Sequence, residues 1–174
     1  MKSRIIYVSP SLCPMKNYYE IAYMASSALL ISHDIRRDTV FIYGPILRLR
    51  RGYLVIYGFE VRNLRPDIES STPLIIKALE GKTRRGIVFK DHIIVKADVM
   101  LVYKGYGLQL EQAIDKISKS KARSIALALA ANDTEPLEII KSRDIVNFTL
   151  TPNIYNCSQI ITIFHYLLDS KGWG

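Results

Sequence analysis

The chain is 174 residues long and carries 24 Lys or Arg against 16 Asp or Glu, a formal charge of +8. Hydrophobic residues make up 49% of it and its mean hydropathy is slightly positive, which excludes the polar, highly charged composition of a disordered basic chain. A single folded domain over residues 1–174 is expected, large enough to need no metal or disulfide staple, with apolar surface left for a partner, most simply a second copy.

Ile5-Ile6-Tyr7-Val8 before Ser9-Pro10 reads as a strand ended by a breaker, and residues 17–31 place Ile21, Met24, Ala25, Ala28 and Leu29 on one helical face. Thr39-Val40-Phe41-Ile42-Tyr43, closed by Gly44-Pro45, is apolar almost without alternation, which suits a strand covered on both faces of a parallel sheet. Extended runs follow at 54–57 and 59–64. Pro66-Asp67 then opens a helix to Leu79 that Gly81 stops. A strand at 87–89 is expected to pair with 93–95 across the turn Lys90-Asp91-His92. Beyond it the pattern alternates: strand 100–103, helix 108–117, strand 124–129, helix 136–141, strand 145–150 and helix 155–168. Strands alternating with helices imply right-handed crossovers, hence an α/β fold built on a mainly parallel sheet with helices on both faces.

Cys13 and Cys157 match no redox or metal-ligand spacing, so two free thiols in a reduced compartment and no metal site are expected. No apolar run approaches the ~20 residues of a membrane span, and no signal-peptide pattern opens the chain. A cytoplasmic protein without a membrane partner is the expectation.

Three basic clusters stand out: Ser32-His33-Asp34-Ile35-Arg36-Arg37-Asp38, Arg48-Leu49-Arg50-Arg51 beside Tyr53 and Tyr57, and Lys82-Thr83-Arg84-Arg85. Guanidinium groups match phosphate oxygens bidentately, and arginine interleaved with aromatics suits looped or single-stranded RNA. Arg36, Arg37, Arg48, Arg50, Arg51, Arg84 and Arg85 are therefore candidate RNA contacts; the alternative is an ordinary charged rim, with Asp and Arg paired to one another. Residues 1–100 hold 16 Lys or Arg against 9 acids and the remainder 8 against 7, so the basic surplus belongs to the N-terminal part. Gly105-Tyr106-Gly107 lacks the third glycine of a dinucleotide fingerprint and reads as a tight turn. His165, inside an apolar helix, reads as a core histidine.

Leu30-Ile31-Ser32-His33-Asp34-Ile35-Arg36-Arg37-Asp38-Thr39-Val40-Phe41 resembles the signature of the archaeal tRNA pseudouridine-54 N1-methyltransferases, a family of the SPOUT class. Arg65-Pro66-Asp67, Gly86-Ile87-Val88, Phe148-Thr149-Leu150-Thr151-Pro152 and Ile161-Thr162-Ile163-Phe164-His165 fit in the same order, so the likeness spans most of the chain. It implies a C-terminal trefoil knot, with the knot and dimerisation region in about 120–174, and a homodimer. It also implies S-adenosylmethionine held largely by the backbone of three loops, and a tRNA or other structured RNA as substrate. Leu129, Ala130, Asn132, Leu150, Thr151, Asn153 and Tyr155 occupy the positions of the cofactor pocket. Asp34 is the candidate for positioning or proton acceptance, or else an arginine partner, and Arg36 and Arg37 are candidates for holding RNA or developing charge. The chain departs from its relatives in having no glycine in Leu129-Ala130-Ala131-Asn132-Asp133-Thr134, where glycine permits close approach of backbone to ligand. Two further readings therefore stand beside methylation of the tRNA T-loop: a catalytically silent paralogue that binds RNA or the ribosome, and a pseudouridine methyltransferase acting on ribosomal RNA.

Overall fold

A computed structural model describes residues 1–32, 34–47, 51–151 and 155–173. In chain order the elements are β1 (Ser3–Val8), α1 (Tyr18–Leu29), β2 (Leu30–Ile31), β3 (Asp34–Ile35), β4 (Thr39–Leu47), β5 (Arg51–Tyr57), α2 (Ile68–Leu79) and β6 (Ile87–Lys90), followed by β7 (Val95–Gln109), α3 (Leu110–Ser118), β8 (Ser124–Leu129), α4 (Thr134–Ile139), β9 (Ile140–Thr149) and α5 (Cys157–Ser170). Seven strands form one sheet in the order β6-β5-β4-β1-β8-β7-β9, while β2 and β3 make a separate two-stranded ribbon. From β4 to β9 every neighbouring pair is parallel; β5 pairs antiparallel with β4, and β6 with β5.

Strand alternation divides the core. Ile6, Val8, Phe41, Leu54, Leu101 and Leu127 face a layer of α1, α2, α3 and α5, whereas Ile5, Tyr7, Ile42, Val55, Met100 and Ala126 face the other way, where the short α4 contributes Ile139. Among the described residues, helices therefore lie on both faces, four on one and α4 on the other. The near-continuous apolar strands follow from this, because both faces of β1, β4 and β8 are shielded.

Four expectations are corrected. β4 does not end at Gly44-Pro45 but runs to Leu47 through a bulge between Tyr43 and Ile46. The strand at 87–90 pairs with β5, not with 93–95. Gly52 explains why: a Cβ there would stand 2.5 Å from the Phe89 ring, so the glycine admits that ring, while the parallel neighbours β8 and β9 take up both edges of β7. Cys13 and Cys157 are joined in a disulfide rather than free; folding α5 back against α1 brings together two cysteines whose sequence spacing gave no sign of pairing. The run at 59–64 forms no strand.

Candidate active site

The strand registers fix two ends of the sheet. Arg4 lies beside Thr39 and Ile125, and Val8 beside Tyr43 and Leu129, so the parallel strands begin together and finish together. At their carboxyl ends, where open α/β sheets bind ligands, three loops meet. Within β7, residues 104–107 bulge outward because Phe148 of β9 is opposite both Tyr103 and Leu108. This bulge, not a tight turn, is what Gly105 and Gly107 serve, with φ of 69° and 105°. The loop after β8 is drawn in by Lys104, which pairs with Asp133, and by the Ser9 N–H, which donates to the Leu129 carbonyl. The loop after β9 is held by Gln109, whose amide donates to Thr151 Oγ1 at 2.8 Å, and the Tyr103 and Phe148 rings are in contact.

Beside this junction opens a cleft of about 730 Å³ between the loop after β1, α1 and the start of α5. Tyr23, Met24, Tyr103 and Tyr155 give it apolar and aromatic walls, and Glu20, Asn156 and Ser158 its polar groups. The Cys13–Cys157 bridge forms part of the wall. The start of α5 is set by a capping box: Asn156 Oδ1 accepts from the Gln159 N–H, and Gln159 Oε1 from the Asn156 N–H.

Of the residues assigned to the cofactor from sequence, Tyr155 lines the cleft. Leu129 and Ala130 are buried, Ala130 in the layer facing α4. Leu150 packs against the main core. Asn132 Oδ1 accepts from the Glu135 N–H and from Thr134 Oγ1 in the first turn of α4, and Thr151 receives Gln109. Asn153 lies outside the described residues. Sequence reasoning passed over Glu20, Tyr23, Tyr103 and Lys104; the pair Gly105 and Gly107 was the available sign of a loop with positive φ.

The arginine-rich segment is at the opposite end. Asp34 is three-quarters exposed and accepts from the Ile35 N–H. Arg37 is 3.9 Å from Asp34 and also donates to the carbonyls of Gly58 and Val61. Arg36 is largely buried and pairs with Asp169 of α5 at 2.8 Å, as does Arg4 at 2.6 Å. Arg84 and Arg85 are exposed in the turn next to Gly86, which packs on Val61, so the first and third basic clusters are neighbours. Arg51 stands apart, near the cleft end, beside Glu138 of α4 at 3.6 Å. Arg48 and Arg50 lie outside the described residues.

His165 is buried as expected, with Arg4 Nη1 donating to its Nδ1 at 2.9 Å. Burial, reinforced by the charges of Arg36 and Arg4, pushes its pKa well below the usual histidine value, so it is neutral at pH 7. Burial acts to raise the Asp169 carboxyl, but hydrogen bonds from Arg36 and Arg4 outweigh it and hold the group below the ordinary aspartate value.

Over an alignment of 169 residues, covering 83% of this chain and 80% of the relative, the sequence is 27% identical to a tRNA (pseudouridine(54)-N(1))-methyltransferase of Methanococcus aeolicus. The chain resembles this enzyme along most of its length. The fold is that of the Archaeoglobus fulgidus Nep1 protein, solved with S-adenosylhomocysteine, which superposes with a TM-score of 0.53 over all of both chains at 13% identity. No family model matches the sequence.

Proposed function

We propose that this chain is an S-adenosylmethionine-dependent RNA methyltransferase acting on N1 of pseudouridine in the T-loop of tRNA. The observation that carries the reading is the 83% coverage by similarity to a pseudouridine-54 N1-methyltransferase, in a chain whose ligand-sized cleft lies at the carboxyl ends of its parallel strands.

The residues present fit the cofactor. A cleft of about 730 Å³ falls within the few hundred to about 1,000 Å³ typical of small-molecule sites. Tyr103 and Tyr155 offer flat faces to an adenine, while Asn156 and Ser158 offer polar groups. Gly105 and Gly107 supply, in the β7 bulge, the positive φ that the loop after β8 lacks. When bound, S-adenosylmethionine supplies an electrophilic methyl group on a sulfonium.

For the chain itself the task is alignment and electrostatics. With the cofactor bound, a methyl–nitrogen bond would form at N1 as the methyl–sulfur bond breaks, and the N1 proton must leave the ring; the negative charge that the ring carries as this proton leaves calls for a nearby cation. Arg37, half exposed, is placed for that role or for a phosphate; Asp34 takes the proton or orients Arg37. Arg36 is a positioning residue, because its guanidinium is held by Asp169.

A homodimer accounts for the separation of the parts. Within one chain the length of β1 from Arg4 to Val8, roughly 13 Å, stands between the Asp34–Arg37 end and the cleft end. A second copy packed antiparallel on α1 and α5, covering the exposed Tyr19, Tyr23 and Tyr166, would bring its Asp34 and Arg37 toward the first copy's cleft. The trefoil knot belongs to the same reading: β9 lies beyond β7 at the sheet edge, yet α5 returns to pack on α1 and β8.

The test is methyl transfer from labelled S-adenosylmethionine to a tRNA carrying pseudouridine at position 54, with the same tRNA carrying uridine as control. N1-methylpseudouridine in the first and no product in the second is expected. No calorimetric binding of millimolar S-adenosylmethionine would overturn the reading in favour of a silent RNA-binding paralogue; product on ribosomal RNA alone would reassign the substrate.

A further inference from the structure

A second cavity, also of about 730 Å³, opens at the amino ends of the parallel strands, lined among others by Lys2, Arg4, Arg36, Arg37, Asp169 and Trp173. Its chemistry is one-sided. Four cations, Lys2, Arg4, Arg36 and Arg37, meet two carboxylates, Asp38 and Asp169, and those carboxylates are already engaged. Asp169 Oδ1 takes Arg4 and Arg36, and Oδ2 takes Arg36 again. Asp38 Oδ1 accepts from Thr39 Oγ1, and its Oδ2 faces Arg4 Nε at 3.0 Å. The remaining capacity is for donation. Arg36 Nε and the indole Nε1 of Trp173 are both buried donors with no hydrogen-bond partner among the described residues. Lys2 uses one of its three protons on the Gly172 carbonyl, and its ammonium lies 4.9 Å from the centre of the Trp173 ring.

A buried donor left unmatched costs on the order of 1–3 kcal/mol; two of the side chains lining this cavity each carry one, and with its surplus of positive charge the cavity favours an occupant that only accepts. An oxyanion meets that description; a neutral or cationic ligand does not. We infer that this cavity is a binding site for a phosphate group in the backbone of an RNA strand. Arg37 lies at its mouth, and the exposed Arg84 and Arg85 stand beyond it on the turn that packs against Val61. A strand seated on Lys2 and Arg37 can therefore continue along a basic path, which free phosphate cannot exploit. The inference deepens the RNA reading above by naming where the backbone is held, and it does not depend on methyl transfer.

Trp173 is the only tryptophan in the chain, so its fluorescence reports this cavity directly. The experiment titrates the full-length protein with a short oligouridylate, and separately with inorganic phosphate, at low and moderate salt. The expected result is a saturable change with the oligonucleotide that weakens as salt rises, and a loss of affinity of about tenfold or more when Lys2→Ala and Arg37→Ala remove two exposed charges. Trp173→Phe, followed by anisotropy of a labelled oligouridylate, should weaken binding several-fold, because the ring remains and only the donor is lost. An unchanged spectrum, or unchanged affinity in the double variant, would overturn the inference. An equal response to inorganic phosphate at the same concentration of phosphate groups would overturn the assignment to RNA in favour of a free anion. Calorimetry with S-adenosylmethionine on the same sample reads the other end of the sheet, so failure of the methyltransferase reading and failure of this one are told apart.

Discussion

Arg4 is the largest fully enclosed side chain among the described residues, and its charge is tolerated because partners surround it: Asp38 Oδ2 forms an ion pair 3.0 Å from Nε, His165 accepts from Nη1 and Asp169 from Nη2. Breaking such a buried arrangement by removing one partner leaves an uncompensated charge. Asp169→Asn is expected to destabilise the protein by about 3–5 kcal/mol, read as a lower denaturation midpoint in urea at pH 7. Because the Asp169 pKa is depressed in the folded state, its contribution is complete above the ordinary aspartate value of about 4 and is lost as the pH falls through the lower folded value. His165 acts with the opposite chemistry. Its folded pKa is lowered, so below pH about 6.5 the unfolded chain takes up a proton that the folded chain refuses, and stability falls as the pH falls. His165→Gln keeps an acceptor for Arg4 but does not titrate. Its unfolding free energy between pH 6.5 and 5 should decline less steeply than the parent's, by up to about 1.4 kcal/mol per pH unit. The sequence marked His165 as a core residue and could go no further, since its partners Arg4 and Arg36 come from 161 and 129 positions away.

Among the elements, the bulge in β7 is the one on which the site turns. Gly107 has φ of 105°, and a Cβ there would stand 2.5 Å from the Asn147 carbonyl oxygen of β9. Gly107→Ala is therefore strained both by conformation and by contact, and should cost more than the ~1 kcal/mol expected of conformation alone. Gly81→Ala is the control, since φ there is 80° but nothing lies within 4 Å. Melting temperatures of the two variants, with calorimetric affinity for S-adenosylmethionine, check this: only Gly107→Ala should weaken the cofactor. Helix placement was legible where local chemistry decides it. Asn17 precedes α1, Asp67 caps α2 by accepting from the Ser70 N–H, and Gly81 ends it with positive φ. The sequence placed the last helix from about 155, and α5 starts at Cys157 behind the capping box of Asn156 and Gln159. The partner of β6 was not, because short apolar runs carry no signal of which strand they will meet, and a hairpin to 93–95 satisfied the same pattern as pairing with β5.

At the scale of the whole molecule, the Cys13–Cys157 bridge links residues 144 positions apart. A closed loop of that length removes on the order of 5 kcal/mol of chain entropy from the unfolded state, although measured gains are often smaller. Reduction, or Cys157→Ser, is expected to lower the unfolding free energy by about 2–5 kcal/mol, and thiol labelling under denaturing, non-reducing conditions should find no free cysteine in the parent. Because the bridge is part of the cleft wall, the same change should also weaken cofactor affinity. Sequence alone determined the α/β class, the order and approximate bounds of most elements, the basic surplus of the N-terminal part and the resemblance to RNA methyltransferases, because each is written in local periodicity, capping chemistry or a contiguous string of residues. Only the tertiary structure decided that Arg36 is turned inward onto Asp169, that the cysteines meet, and that the arginine-rich segment and the cleft lie at opposite ends of β1. Those facts depend on which strands become neighbours and on the return of α5 across the sheet, and pairings between residues more than a hundred positions apart leave no trace in the spacing of either partner.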